Sequence, residues 1–273
     1  MSMVQADLVL AIDCGNTNTR FCLLQGLALV ADWRRATDDN RTADEDLVWL
    51  TQLMSLSGFE PARIRNVVVA SVRPQSTFGL KRLSQKLTNR DAIVVGEGDV
   101  MLPVADRLIR PGQVGADRLV NARALKDTDQ VPAIVVDFGT ATTFDYVDEH
   151  GAYAGGVIAP GVQTSIGALY QAAAKLPLID LVQMPPVLGT DTVSAMQSGV
   201  FWGYIGLVEG IISQLKRELS VSVKVIATGG LAALFDTATE VFDSIDGDLT
   251  LKGLALVERD FGALHDRQAT SRQ

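Results

Sequence analysis

Asp13-Cys14-Gly15-Asn16-Thr17-Asn18-Thr19 and Asp137-Phe138-Gly139-Thr140-Ala141-Thr142-Thr143 are two versions of one pattern. Each stands directly behind a short apolar run, Leu8-Val9-Leu10-Ala11-Ile12 in the first case and Ala133-Ile134-Val135-Val136 in the second. The runs are too short for helices and rich in branched residues, so they read as buried strands that each deliver an acid to a tight turn. The glycine two residues after the acid has no Cβ, so it tolerates positive φ and lets backbone N–H groups close on an anion. Hydroxyl and amide side chains follow as further donors. An acid repels phosphate unless a cation lies between them, so the pattern describes a carboxylate holding a hydrated metal against phosphoryl oxygens. One D-x-G alone is better explained as a β-turn in which Asp caps its own backbone. Two extended copies favour a phosphate site made in two halves.

The rest of the chain repeats that division. After the first turn the strand resumes toward Leu24, and Thr42-Ala43-Asp44-Glu45 forms a capping box ahead of Leu47, Val48, Leu50, Leu53, Met54 and Leu56, a helix that Gly58 stops. Val67–Ala70 and Ala92–Val95 read as buried strands bracketing a helix that carries Leu80, Leu83 and Leu87. The second half restarts at Val131, turns at Gly139, returns to Val147 and makes a hairpin at Glu149-His150-Gly151. The expectation is an α/β protein of two duplicated halves, residues 1–128 and 129–273, with nucleotide phosphates held in the cleft between them and a short hinge or a continuous helix end near Asp127 to Val131.

Composition narrows the function. The chain has 273 residues, 47% of them apolar, enough for one large domain or two smaller ones. Its 24 basic and 32 acidic residues give a net charge of -8, and no Lys/Arg cluster marks a nucleic-acid or anionic-membrane footprint. The N-terminus lacks a signal-peptide layout and no apolar stretch approaches the roughly 18 residues of a membrane span, so a cytoplasmic location is expected. Cys14 and Cys22 are the two cysteines; a reducing compartment disfavours a disulfide between them, and two cysteines alone make no zinc site. His150 falls in the hairpin and His265 in a polar tail, which disfavours a Ser-His-Asp or Cys-His mechanism. There is no G-x-x-x-x-G-K-[ST], and Gly96-Glu97-Gly98 lacks the third glycine of G-x-G-x-x-G.

Thr192 to about Leu219 is the longest predicted helix, with Asp191 or Thr192 as N-cap. Gly199, Gly203, Gly206 and Gly210 share one of its faces, and at about 1 kcal/mol each they cost several kcal/mol of helix propensity. Either a close crossing within the chain or self-association through that face would offset the cost. Between the two acid-bearing turns, Gly115-Ala116-Asp117-Arg118 leads into a helix marked by Leu119, Val120, Ala122 and Leu125. At such an N-terminus the dipole keeps Asp117 ionised, an acceptor suited to a general base, and Arg118 offers a bidentate fork for an anion. Asp117 as a plain N-cap and Arg118 as a surface charge fit the same four residues.

These motifs, with Gly155-Gly156-Val157-Ile158-Ala159-Pro160-Gly161, Ala174-Lys175-Leu176-Pro177, Asp191–Gly199, Thr228-Gly229-Gly230 and Leu249-Thr250-Leu251-Lys252-Gly253-Leu254, resemble type III pantothenate kinase in order and spacing. The resemblance runs from about residue 8 to 260. It implies ATP-dependent phosphorylation of pantothenate, the first step toward coenzyme A, on two ribonuclease-H-like halves of the acetate and sugar kinase, Hsp70 and actin superfamily. It further implies that Asp13 to Arg20, meaning Asp13, Cys14, Gly15, Asn16, Thr17, Asn18, Thr19 and Arg20, form the first phosphate motif, with Asp13 serving magnesium-ATP. Asp117 matches the proton acceptor; Gly115, Ala116, Arg118 and Thr192 match pantothenate contacts. Gly139 and Thr140 match the nucleotide side, and Asp137 the site of a monovalent cation, potassium or ammonium. A homodimer is implied as well. The chain departs from the common pattern in carrying Arg20 where many members have Lys, and in Leu108-Ile109-Arg110-Pro111 ahead of the GADR motif. Thr228-Gly229-Gly230 suits either a close approach by the adenosine or a plain strand-to-helix turn.

Overall fold

In the computed structural model, which describes residues 7–100, 104–110, 112–173 and 175–270, both apolar runs are central strands. Pro111 and Ala174, quoted above within motifs, lie outside the described residues. The first run is β1 (Leu8–Cys14), followed by β2 (Asn18–Gln25) and β3 (Ala28–Ala36) in an antiparallel meander. Thr42 then caps α1 (Ala43–Leu56) with the expected box: its Oγ1 accepts the Glu45 N–H while Glu45 Oε2 accepts the Thr42 N–H. β4 (Ile64–Ser71), α2 (Pro74–Thr88), β5 (Ile93–Val94) and α3 (Ala116–Leu125) complete this part, with β4 parallel to β1 and β5 parallel to β4. The sheet order is β3-β2-β1-β4-β5.

The second run opens the same arrangement. β6 (Ala133–Phe138), β7 (Ala141–Val147) and β8 (Tyr153–Pro160) are antiparallel. α4 (Val162–Ala172) and α5 (Thr192–Leu219) follow, then β9 (Lys224–Thr228) parallel to β6, a short α6 (Ala232–Phe235), and β10 (Ser244–Ile245) parallel to β9. Read as β8-β7-β6-β9-β10, this sheet has the order and strand directions of the first. The internal duplication is therefore present in the topology.

Side-chain alternation decides what each face meets. Leu8, Leu10, Ile12 and Cys14 of β1 pack with Leu50 and Met54 of α1 and Leu80 and Leu83 of α2. Ala11 of β1 and Cys22 and Leu24 of β2 pack on the other face with Ala116 and Val120 of α3. Cys14 and Cys22 thus lie in different core clusters with the sheet between them, and both are free thiols. Asp13 alternates with Ala11, which puts it on the face that meets α3.

The last helix, α7 (Leu249–Thr270), follows β10 as α3 follows β5, so chain order alone places it with the second half, as in the division at 128/129. It packs elsewhere. The chain forms two compact units, one of Met1–Asp127 with Leu249–Gln273, the other of Thr128–Asp248. α7 is held in the first unit because Gly253 has no side chain: a Cβ there would stand 2.1 Å from the Val120 carbonyl oxygen of α3. The Arg123 guanidinium, 5% exposed, donates to Asp260 through Nε at 2.8 Å and pairs with it through Nη2 at 2.7 Å. Thr250 donates to Asn121 Oδ1 at 2.8 Å, and Asn66 to Glu258 Oε1 at 2.7 Å. The segment around His265 is helical rather than a tail. Among the described residues no helix is long and apolar enough to cross a membrane.

Candidate active site

Both turns close through the same bond, from the glycine N–H to a carbonyl across the turn. Gly15 donates to Asn18 O and Gly139 to Ala141 O, each at 3.0 Å. Neither glycine has positive φ. The expected reason for them, a left-handed backbone presenting their own N–H to an anion, therefore gives way to a tight fit, since a Cβ would lie 3.3 Å from Asn18 O or 3.4 Å from Ala141 O. The residues left exposed on the turns are Asn16, Thr17 and Asn18 in the first and Gly139 and Thr140 in the second. Cys14 and Thr19 are buried, and the Thr19 hydroxyl bonds the Thr37 hydroxyl at 2.9 Å, so these two hold the first turn from beneath.

Asp13 stands at the end of β1, paired in register with Arg20 of β2, which in turn pairs with Arg34 of β3. Residues opposite one another in register share a face, so one acid and two guanidiniums form a row across the sheet. Arg20 Nε donates to Asp32 Oδ2 at 2.8 Å. Arg34 is exposed and was not singled out by motif reading; the Asp13–Arg20–Arg34 register shows it. Burial, first, and the negative field of Asp117, second, push the Asp13 carboxyl up to about 7, while Arg20 and Arg34 pull it down.

Gly115 is the N-cap of α3 and Ala116 its buried first residue, which leaves Asp117 in the first turn of the helix. Its Oδ1 accepts the Arg118 N–H at 2.9 Å and rests against Gly115, where a Cβ would stand 2.5 Å from that oxygen. Arg118 is half-buried beside it. Ahead of this motif Asp106 accepts the N–H groups of Leu108 and Gly112, each at 2.9 Å, and Arg107 and Arg110 are exposed.

In the second unit Asp137 ends β6 opposite Thr143 and beside Thr228 of β9. Gly229 follows with φ +90°, and a Cβ on it would stand 2.6 Å from Asp137 Oδ1 and 2.7 Å from Phe138 N and O. Gly161 closes over the turn: its N–H donates to Thr140 O at 3.1 Å, and a Cβ would meet that oxygen at 2.3 Å. Thr164 Oγ1 donates to the same oxygen at 2.7 Å. Thr192 is the exposed first residue of α5, capped by Asp191, whose Oδ1 accepts the Ser194 N–H at 3.0 Å.

Two observations bear on cations. Asp13 is desolvated and lies in the negative field of Asp117, so its ionised form would gain from a cation beside it. Among the described residues no three His, Cys, Asp or Glu side chains gather into a metal-holding group. An ion at Asp13 would therefore draw most of its ligands from phosphate and water, as magnesium does. At Asp137 the missing Cβ of Gly229 leaves a carboxylate lined by backbone, a cradle that suits a weakly hydrated monovalent ion.

Residues 9–214 match the family model described as type III pantothenate kinase. A protein of Cereibacter sphaeroides named type III pantothenate kinase is 52% identical over 252 residues, covering 92% of this chain and 98% of that one. Among solved structures, a Campylobacter jejuni protein provisionally named a Baf family transcriptional activator superposes with a TM-score of 0.59 at 19% identity, over 93% of this chain and 99% of that one. A Sinorhizobium meliloti protein provisionally named a 2-dehydro-3-deoxygalactonokinase gives 0.56 at 18% identity, over 93% and 99%. These structural likenesses show the fold, that of the actin-like ATPases and sugar kinases with two ribonuclease-H-like halves.

Proposed function

Because the chain belongs to the type III pantothenate kinase family, we propose that it transfers the γ-phosphoryl group of ATP to the primary hydroxyl of pantothenate, with Asp117 as proton acceptor. The product is phosphopantothenate, on the route to coenzyme A. The observation that carries the residue assignment is the place of Asp117 in the first turn of α3, from which its charge acts on the Asp13 carboxyl of β1. Phosphoryl transfer passes through a loose transition state and asks chiefly for alignment and charge neutralisation.

Asp117 would accept the hydroxyl proton late in transfer. The Arg118 N–H holds its Oδ1, and Gly115 leaves that oxygen room. Gly115, Ala116, Arg118 and Thr192 would position pantothenate. The first turn, from Asp13 to Arg20, would hold the ATP phosphates, and Gly139 and Thr140 would add nucleotide contacts. Magnesium at Asp13 and potassium or ammonium at Asp137 would supply the positive charge that a P-loop lysine supplies elsewhere.

The reading extends to a homodimer. Gly199, Gly203, Gly206 and Gly210 are exposed on α5, and a Cβ at any of them would meet nothing within 4 Å. Among the described residues none packs where those Cβ atoms would stand, so a second copy is the partner that this face fits. Gly206→Leu is expected to shift the protein from dimer to monomer in light scattering.

The test of the reaction is coupled ADP release with ATP, magnesium and pantothenate, run with potassium or ammonium and again with sodium only. Release that needs pantothenate and is faster with potassium or ammonium is expected. Nucleotide binding without pantothenate-dependent release would sink the assignment.

A further inference from the structure

The first phosphate turn is pinned by a residue that no phosphate motif contains. Thr37 follows the last residue of β3, and its N–H donates to Thr17 O at 2.9 Å. Its hydroxyl donates to Gly15 O at 2.9 Å and lies 2.9 Å from Thr19 Oγ1. A carbonyl can only accept, and a hydroxyl has one hydrogen, so Thr37 gives its hydrogen to Gly15 and receives that of Thr19, whose Oγ1 also lies 3.5 Å from Cys14 Sγ. One side chain therefore joins the buried base of the turn to its backbone.

The peptide group is planar and trans, so its N–H points opposite to its C=O. Anchoring the Gly15 and Thr17 carbonyls on Thr37 fixes the aim of the Asn16 and Asn18 N–H groups to the other side. The second unit supports the reading independently. There the residue after β8, Gly161, donates its N–H to the corresponding carbonyl of Thr140, and Thr164 supplies the hydroxyl. The backbone brace recurs in both copies, while the Thr164 hydroxyl meets that same Thr140 carbonyl rather than the carbonyl of Gly139.

We infer that Thr37 is a positioning residue of the kinase reaction, one that holds the first turn in the shape that receives the nucleotide phosphates. The inference rests on the functional reading above. Thr37→Val removes the hydroxyl at constant shape, Thr37→Ser restores it, and Thr51→Val serves as control, since Thr51 donates to Leu47 O inside α1 at 2.7 Å, away from the turn. Thr37→Val is expected to raise the KM for ATP about tenfold while the KM for pantothenate stays unchanged. Thr37→Ser should recover the wild-type value, and the melting temperature should fall no further than in Thr51→Val. Thr37→Ala takes the place of the valine variant if that one does not fold. An unchanged KM for ATP, or a loss shared equally by both substrates, overturns the inference. If the wild type shows no pantothenate-dependent release, the functional reading fails separately, and magnesium-ATP affinity by calorimetry still tests Thr37: a tenfold loss in the valine variant upholds it and equal affinity overturns it.

Discussion

The Asp13 turn and the Asp137 turn grow from the same strand order and the same backbone brace, yet they are crowded by different things. Around Asp13 the neighbours are charges: Asp117, Arg20 and Arg34 all act on its carboxyl. In the Asp137 turn the close contacts involve backbone, because Gly161 and Gly229 let the chain approach to distances that no Cβ would permit. The first turn is also longer, with Gly15 bonding Asn18 where Gly139 bonds Ala141. The duplicated scaffold thus differs between its copies, the first turn set among charges and the second among close backbone contacts.

The sharpest way to break that contrast is Asp117→Asn, since the second copy contributes no counterpart to this acid in the proposed mechanism. General-base help is worth about 100- to 10,000-fold, so kcat should fall by that order with the melting temperature preserved. Unchanged turnover would remove the chemistry from the first copy.

Next in size are Gly161→Ala and Gly229→Ala. Each pushes a methyl group into fixed backbone, against Thr140 O at 2.3 Å and against Phe138 N at 2.7 Å respectively, and Gly229 adds a left-handed φ. A loss of about 2–3 kcal/mol in urea unfolding is expected for each. Wild-type stability in both would mean that the second copy is not shaped by close packing.

How much of this was legible in sequence follows from range. α1 and α5 announce themselves because their caps and apolar spacing are local: Thr42 with Glu45, and Asp191 with Ser194. The strand–turn–strand openings were legible for the same reason. The home of α7 was not, because what fixes it is Gly253 against Val120 and Arg123 against Asp260, contacts between residues more than a hundred positions apart. Thr37, and the bracing role of Gly161 within its quoted motif, were hidden likewise, since a brace between a third strand and a first turn leaves no periodic trace. Arg34 became visible once register set it beside Arg20.

A smaller effect separates the copies by charge. In metal-free protein Asp13 holds its proton up to about 7 when folded, whereas the unfolded chain releases it near 3.8. Between those values the folded state binds more protons, so this group's contribution to stability is full below the lower one and is lost as pH rises through the upper one. Asp13→Asn carries no such loss. Its melting temperature should exceed that of the wild type by a few degrees at about pH 8, and the gap should close toward about pH 4. A gap that is constant with pH would place the Asp13 carboxyl in ordinary solvent.

The smallest expected effect is the most discriminating between scaffold and ligand. At Gly15 and Gly139 the φ angles are ordinary and the added methyl group meets one carbonyl at 3.3 or 3.4 Å, a contact that a shift of a few tenths of an ångström relieves. Gly15→Ala and Gly139→Ala should each lose less than about 1 kcal/mol of stability, well below Gly161→Ala and Gly229→Ala. If phosphate approaches the turn backbone, the same methyl group stands in its way, so ATP affinity should fall in Gly15→Ala by more than stability does. Affinity that falls only in step with unfolding would mean these glycines serve the turn alone, and the phosphates would have to meet the chain through the exposed side chains of Asn16, Thr17 and Thr140 instead.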